Sequence, residues 1–242
     1  MAIELESLHK SFGELTVLDG FSIRFEENRV SALLGPSGCG KSTLLGLISG
    51  TLKPDSGRII GASDRRVGYV FQEPRLLPWM TVRGNIDFIL REGFDEKKRA
   101  AIITQWLGLV GLEGFGDYYP SALSGGMRQR AAIARAFAVP STLLLLDEPF
   151  QALDLGRTLS LIRVFDSLWR IDRRTTIFVT HDLREALLIS DDLFVLSERA
   201  PRILDRFSIS SDHDRRSLDD ESLMTIERRL YQILSATDAD ER

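Results

Sequence analysis

The segment Gly35-Pro36-Ser37-Gly38-Cys39-Gly40-Lys41-Ser42-Thr43 limits what this chain can fold into more than any other stretch. It follows Val30 to Leu34, which is nearly all apolar. It precedes Leu44, Leu45, Leu47 and Ile48 at helical spacing, with Gly50 set as a C-terminal cap. Strand, glycine loop and helix in that order are the start of a βαβ unit, so the chain reads as α/β with a parallel sheet. Gly35, Gly40, Lys41 and Ser42 match the pattern GxxxxGK[ST]. Glycines let successive N–H groups turn into one hollow, and the helix N-terminus adds positive potential. Lys41 then neutralises β and γ phosphate oxygens, while the Ser42 hydroxyl ligates Mg²⁺. A glycine turn that merely caps a helix is the alternative; the strand before and the helix after favour the phosphate loop.

Composition narrows the class further. Of 242 residues, 43% are hydrophobic and 27% charged, an ordinary globular balance that argues against collagen-like or wholly disordered chains. A net charge of -4 supplies no domain-wide basic field for holding nucleic acid or anionic lipid. Cys39 is the only cysteine, so no intramolecular disulfide or cysteine-based zinc site can form, and the chain reads as cytosolic. No stretch approaches the roughly 18 apolar residues of a spanning helix. The start, MAIELESLHK, carries acids and lacks an apolar core, so it does not read as a secretory signal.

Along the chain, alternating apolar residues in Ile3 to Leu8 and Phe21 to Phe25 predict half-buried strands of a small, partly antiparallel N-terminal sheet. Val67 to Phe71 predicts another strand, ending at Gln72. From Thr81 to Val139 strand signals vanish, and Ile86, Ile89, Leu90, Ile102, Ile103, Trp106, Leu107 and Val110 recur at helical intervals, which predicts an inserted helical subdomain. Leu143 to Leu146, Thr176 to Val179 and Leu193 to Leu196 return as short strands between helical stretches. Leu223, Ile226, Leu230, Ile233 and Leu234 share one face of a terminal helix. The expected organisation is residues 1–80 and 140–210 as two parts of one nucleotide-binding core, 81–139 as the helical subdomain and 211–242 as a tail.

Two further segments carry chemistry. The strand Leu143 to Leu146 delivers Asp147 and Glu148 at its C-terminal end, where open α/β sheets bind ligands. Asp147 would hold the Mg²⁺ shell and Glu148 would polarise the water that attacks the γ-phosphate; taken alone, the pair is equally a helix-capping turn. Ser124, Gly125 and Gly126 open a helix of small residues and form a second anion cradle, or simply a cap. One nucleotide needs only one such cradle from a chain. A head-to-tail dimer, in which each chain's second cradle closes over the triphosphate held by its partner's first, accounts for both.

GPSGCGKST, Gln72, LSGGM, LLLLDEP, QALD at Gln151 to Asp154, and His181 occur in the order found in ATP-binding cassette ATPases, and the chain resembles that family over about residues 1–205. VFQEPRLLPWMTVRGNI at 70–86, LSGGMRQR and DEPFQALD are most similar to the importer ATPases of the nitrate, sulfonate and taurine uptake group. The resemblance implies the fold of that family, a P-loop NTPase core with an antiparallel β subdomain and an inserted α-helical subdomain. It implies that Phe12 stacks on adenine, though an aromatic there is equally a core residue. It implies that Gln72 senses Mg²⁺ and water and links the site to the permease. Ser124, Gly125 and Gly126 would clasp the partner's ATP, Asp154 would cross the dimer interface, and His181 would stand near the γ-phosphate. A histidine at a helix start is otherwise a capping or core residue.

Partners are implied as well: a second copy of the ATPase, separate transmembrane permease subunits, an extracytoplasmic solute-binding protein acting indirectly, and no nucleic acid, with the chain peripheral on the cytoplasmic face of the membrane. A soluble cassette protein acting on DNA or ribosomes is one alternative, and a P-loop small-molecule kinase another. The first would bring a long coiled coil between Gln72 and Ser124 or a second cassette, and the second has no use for the SGG helix start. Three features depart from the family pattern: Met127 stands for the usual glutamine, Gln151 for a small residue, and the connection Gly61 to Arg66 is short. Leu76, Leu77, Trp79 and Met80, between Pro74 and Pro78 and with Glu73 and Arg75 as a rim, either pack under the helical insertion or line a groove for a permease helix.

Overall fold

The computed structural model describes residues 2–62, 66–151, 155–211, 213 and 216–240. In chain order its strands are β1 (Ile3–Phe12), β2 (Leu15–Phe25), β3 (Val30–Leu34), β4 (Ser56–Ile60), β5 (Val67–Val70), β6 (Leu143–Asp147), β7 (Thr175–Thr180), β8 (Asp192–Leu196) and β9 (Ile203–Ser208). The helices are α1 (Lys41–Ile48), α2 (Val82–Leu90), α3 (Glu96–Leu109), α4 (Gly125–Ala138), α5 (Leu155–Ile171), α6 (Leu183–Ile189) and α7 (Glu221–Asp240). They fall into two compact units, Met1–Arg65 with Thr175–Arg242, and Arg66–Arg174.

In the first unit β2, β1 and β4 form an antiparallel sheet in that order. Ile3 faces Phe25 and Leu5 faces Ile23 in register, and all four side chains are buried, so the alternation read from the sequence is the inward face of this sheet. The hairpin runs further than the hydrophobic pattern indicates, to Phe12 and back from Leu15, because Gly13 takes a left-handed turn at φ 61° and pairing continues through exposed residues. β3 is buried at every residue and lies parallel to both β7 and β8. A strand covered on both faces has no polar side to alternate, which is why its sequence is a continuous apolar run. β9 pairs antiparallel with β8 and leaves Ile203 and Leu204 exposed. α6 packs against β3 and β7, and α7 against α6. Gly50, at φ 76° with its N–H donating to the Leu47 carbonyl, closes α1 as expected.

The tail is fastened by polar side chains. Arg216 is buried and donates to the carbonyls of Ser190 at 2.7 Å and Ser211 at 2.8 Å, and His213 Nε2 meets Asp191 Oδ1 at 2.9 Å. Burial alone pushes the Asp191 carboxyl up, but the hydrogen bonds from His213 and the Val30 amide, with the His213 and Arg29 charges, more than offset it and hold the group below the ordinary carboxylate range. Leu223 and Leu230 of α7 are buried while Ile226 and Ile233 are half-buried, so the predicted face is the one that packs.

In the second unit β5 and β6 are parallel, with Val70 opposite Leu146. The stretch expected to be helical holds α2, α3 and α4, started by side-chain caps at Thr81, Asp95 and Ser124. α4 is rich in buried alanine and lies so close to β5 that a Cβ on Gly68 would sit 2.5 Å from the Ala136 carbonyl oxygen. Trp106, Phe137, Phe165 and Phe150 form a chain of ring contacts with centroids 5.5 to 6.5 Å apart, which gives this unit its own core.

Candidate functional site

The phosphate loop grows directly out of β3. The Gly35 N–H donates to the Thr180 carbonyl at 3.4 Å, and the chain then turns through Gly38 at φ 82° and Gly40 at φ 105°. Those left-handed positions need glycine. Gly40 caps α1 without any side-chain hydrogen bond, so the amides at the helix start receive no acceptor from their own cap, the arrangement that favours an anion. Lys41 is buried at 4% exposure, and its Nζ donates to the carbonyls of Gly35 and Pro36 at 2.7 Å each. The ammonium is thus already desolvated inside the hollow, where these two carbonyls accept from it. Ser42 is exposed, Thr43 and Pro36 are half-buried, Ser37 is exposed, and Cys39 packs inward.

Two other candidates border this loop. β2 abuts it, since a Cβ on Gly40 would lie 2.9 Å from Val17 Cγ1, and the same hairpin carries Phe12. Phe12 is 47% exposed, so it is not a core residue; the Lys10 ammonium sits 5.3 Å from its ring centroid. Lys10 also pairs with Asp55 at 2.8 Å, and that hydrogen bond, with one from the Ser11 amide, lowers the Asp55 carboxyl. His181 follows Thr180, whose carbonyl holds Gly35. It is exposed, and neither cap nor core: Asp182 is the cap of α6, accepting from the Arg184 and Glu185 amides, while Thr180 Oγ1 donates to Glu185 at 2.7 Å.

The second unit gathers the other candidates. β6 is buried up to Leu146, and Asp147 and Glu148 emerge half-buried at its end. Glu148 has φ 44°, a left-handed conformation that costs a non-glycine residue on the order of 1–3 kcal/mol. Its turn is tied down on both sides: the Gln151 N–H donates to the Glu148 carbonyl at 3.2 Å, and Gln129 Nε2, buried on α4, donates to the Pro149 carbonyl at 2.6 Å. Gln72 is exposed and donates through Nε2 to Gln151 Oε1, so the two glutamines flanking β5 and β6 meet. Burial, and after it the charge of Asp147, push the Tyr69 phenol up. Asp154 lies outside the described residues.

Ser124 Oγ accepts from the Met127 N–H at 3.3 Å and so does cap α4. A Cβ on Gly126 would meet nothing within 4 Å, and one on Gly125 would reach only the tip of Arg128 at 4.0 Å. No described residue of this unit requires glycine at either position. At its other end α4 reaches the segment after Gln72: Arg135 donates to the carbonyls of Pro74 at 3.0 Å and Arg75 at 2.8 Å. Burial lowers the Arg135 guanidinium from its ordinary value. Asn85, 1% exposed, fixes the same segment by accepting from the Leu77 N–H at 2.7 Å and donating to the carbonyls of Leu77, Met80 and Thr81. Trp79 stays 69% exposed, so it does not pack under the helices, while Leu76, Leu77 and Met80 are half-buried.

Gln129, Arg135 and Asn85 escaped the sequence reading. Each is a polar residue inside an ordinary helix, and only a polar side chain repeating on the apolar stripe of α2 and α4 could have signalled them. Gln72 and Asp147 of the second unit, like Ser42 of the first, carry oxygen atoms of the kind a hard cation takes. Gln72 spends its amide N–H on Gln151, which turns its amide oxygen into the atom such a cation would use. Among the described residues no three His, Cys, Asp or Glu side chains form a metal cage.

Comparison with known proteins shows the family. The ABC transporter family model matches residues 18–151. The sulfate/thiosulfate import ATP-binding protein CysA of Caulobacter vibrioides is 44% identical over 211 residues, 81% of this chain and 62% of that one. The formylaminopyrimidine import ATP-binding protein ThiZ of Halalkalibacterium halodurans is 43% identical over 184 residues, 76% and 74% respectively. A solved dimeric ATP-binding cassette in a post-hydrolysis state, bound to ADP and Pi, superposes with a TM-score of 0.75 at 26% identity, covering 86% of this chain and 99% of that one. With more than half its length matched by the family model and the cassette fold shared over 86% of it, the chain belongs to the ABC transporter family and is one of its ATPases.

Proposed function

We propose that the chain is the ATP-hydrolysing subunit of an importer, in which two copies close head-to-tail on two ATP molecules and reopen after hydrolysis. The observation that carries this reading is the pair Gly125 and Gly126 at the start of α4, where an added Cβ meets no described atom closer than 4.0 Å. Glycines that the chain's own packing does not use fit the close approach of a ligand backbone or phosphate brought from outside.

In this reading Phe12 stacks on adenine, and the amides from Gly35 to Thr43 cradle the triphosphate. Lys41 leaves the carbonyls of Gly35 and Pro36 to neutralise β and γ oxygens, exchanging neutral acceptors for charged ones, which roughly doubles the strength of each bond. Ser42, Gln72 and Asp147 would hold Mg²⁺, whose chemistry there is to neutralise charge on the phosphate oxygens. Glu148 accepts the proton of the attacking water, His181 orients the γ-phosphate, and Ser124, Gly125 and Gly126 of the second copy close the other side. Asp154 crosses the interface between copies. The left-handed backbone at Glu148 and its two tethers support the role of base, because strain of this kind persists where the surroundings fix a side chain for use.

No described helix is long and apolar enough to cross a membrane, and the exposed Trp79 beside Leu76, Leu77 and Met80 fits a groove that receives a helix of a separate permease subunit. The chain then works peripherally on the cytoplasmic face, with a solute-binding protein acting on the far side. The segment VFQEPRLLPWMTVRGNI supports a solute of the nitrate, sulfonate or taurine type. The Glu148→Gln variant tests the reading: it binds ATP and dimerises while hydrolysis falls by about 10²- to 10⁴-fold. Hydrolysis at the parental rate removes Glu148 from the role of base.

A further inference from the structure

Phe12 stands at the end of a hairpin, opposite Leu15, and the two residues are 47% and 67% exposed. The pairing of β1 with β2 also shifts register twice between Leu8 and Ser11. The ring therefore takes its place from neither a packed core nor a regular ladder. On the other side of β1 the ladder with β4 ends at His9 and Ser56. Asp55 carries it two residues further with its own atoms: its N–H donates to the His9 carbonyl at 2.9 Å, and its carboxylate accepts from the Ser11 N–H at 2.7 Å and from Lys10 Nζ at 2.8 Å.

The mount of this carboxylate is firm, since β4 lies so close to β1 that a Cβ on Gly57 would sit 2.4 Å from the Ser7 carbonyl oxygen. The hydrogen bonds from Lys10 and the Ser11 amide hold the Asp55 carboxyl below its ordinary value, so it is ionised at neutral pH. An ionised acceptor makes each bond about twice as strong as a neutral one. Lys10 takes the restraint to the ring: its side chain is 15% exposed, and its ammonium lies over Phe12, 5.3 Å from the ring centroid. With the cation over one face, a flat base has the other face to stack on.

We propose that Asp55 is a positioning residue for the nucleotide base: through the Ser11 amide and Lys10 it sets the plane of Phe12 and leaves the face away from the ammonium to the adenine. The inference rests on the reading above in which Phe12 stacks on adenine. It adds that Asp55 carries a share of the affinity for the base and none of the affinity for the phosphates.

The test measures binding of ADP and of inorganic pyrophosphate to the full chain by calorimetry with Mg²⁺ present; ADP carries the same base and is not hydrolysed. Phe12→Ala is expected to weaken ADP by about tenfold and Asp55→Ala by about fivefold, within the range a base stacked on an aromatic is worth. Both variants bind pyrophosphate as the parent does. Asp55→Asn keeps an oxygen for the Ser11 amide but no charge for Lys10, so its ADP affinity falls between those of Asp55→Ala and the parent. The asparagine variant carries the test if the alanine variant does not fold. In the Phe12→Ala background Asp55→Ala has no further effect on ADP, the coupling expected of a residue that acts through the ring. Parental ADP affinity in Asp55→Ala, with Phe12→Ala weakened, leaves the ring as the base site and overturns the role of Asp55. Parental affinity in Phe12→Ala overturns the stacking reading, and the proposal with it. Equal loss of ADP and pyrophosphate in Asp55→Ala, or the same fivefold loss of ADP when Phe12 is absent, also overturns the proposal, because Asp55 then serves the architecture of the sheet.

Discussion

Gln129, buried on α4, donates through Nε2 to the carbonyl of Pro149 at 2.6 Å, and Pro149 directly follows Glu148 with its left-handed φ of 44°. The helix that starts at Ser124 is therefore bonded to the turn that carries the candidate base. Truncating Gln129 to alanine removes the bond and leaves a buried carbonyl without this donor, a loss of about 1–3 kcal/mol. The Gln129→Ala variant is expected to melt lower by roughly 2–4 °C for each kcal/mol lost. Its kcat should fall while ATP affinity stays close to parental. Thermal unfolding and steady-state kinetics read both; an unchanged kcat means the turn is held in position without Gln129.

Two glycine substitutions should part company. Gly40→Ala puts a Cβ 2.9 Å from Val17 Cγ1 on a backbone at φ 105°, so it should cost on the order of 1–3 kcal/mol of stability and abolish ATP binding to the monomer. Gly126→Ala meets nothing within 4 Å and lies in a helix, where alanine is better by about 0.5–1 kcal/mol. Its monomer should melt at or above the parental temperature and bind ATP normally, yet dimerise poorly in the Glu148→Gln background. Melting curves and sedimentation distinguish the two.

Arg135 joins α4 to the segment that follows Gln72 by two carbonyl hydrogen bonds. Replacing it with glutamine should free that segment, so backbone amides at 75–77 and 79–80 exchange with deuterium about tenfold faster, as expected when a hydrogen-bonded brace worth around 1.4 kcal/mol is lost. Exchange at the parental rate would leave Asn85 as the brace that matters.

Asp191 ties the tail to the rest of the first unit and gives a pH dependence of definite sign. Its folded carboxyl is held below the ordinary value of about 4, so the stability it contributes is complete above that pH and is lost as pH falls through the lowered value. The parent's melting temperature should therefore drop on acidification below about pH 4, and Asp191→Asn should be less stable at neutral pH with a flatter acid limb. Thermal melts across that range decide it.

How much of this was legible in the amino-acid sequence follows from what each residue faces. β3, β6 and β7 could be read because strands covered on both faces are mostly apolar or β-branched, and the phosphate loop because its turns accept little but glycine. β9 gave no such signal, since Ile203 and Leu204 are exposed and its Arg206, itself exposed, pairs with the buried Asp192. Phe12 and His181 could be read two ways, and the exposure of both removed the core alternative. Gln129 and Arg135 were hidden because a buried polar residue on an alanine-rich helix looks the same in sequence as one facing solvent. Their partners are backbone carbonyls, which carry no residue-specific mark.

The most direct test of a site shared between two copies is complementation by mixing. In the Glu148→Gln background, Lys41→Ala and Ser124→Arg chains should each fail to form an ATP-dependent dimer. A dimer of one of each restores a single intact site, because the Lys41 of the Ser124→Arg chain then meets the Ser124 of the Lys41→Ala chain. Mixing the two is expected to yield an ATP-dependent heterodimer that retains one nucleotide; a mixture that remains as monomeric as its components contradicts the account.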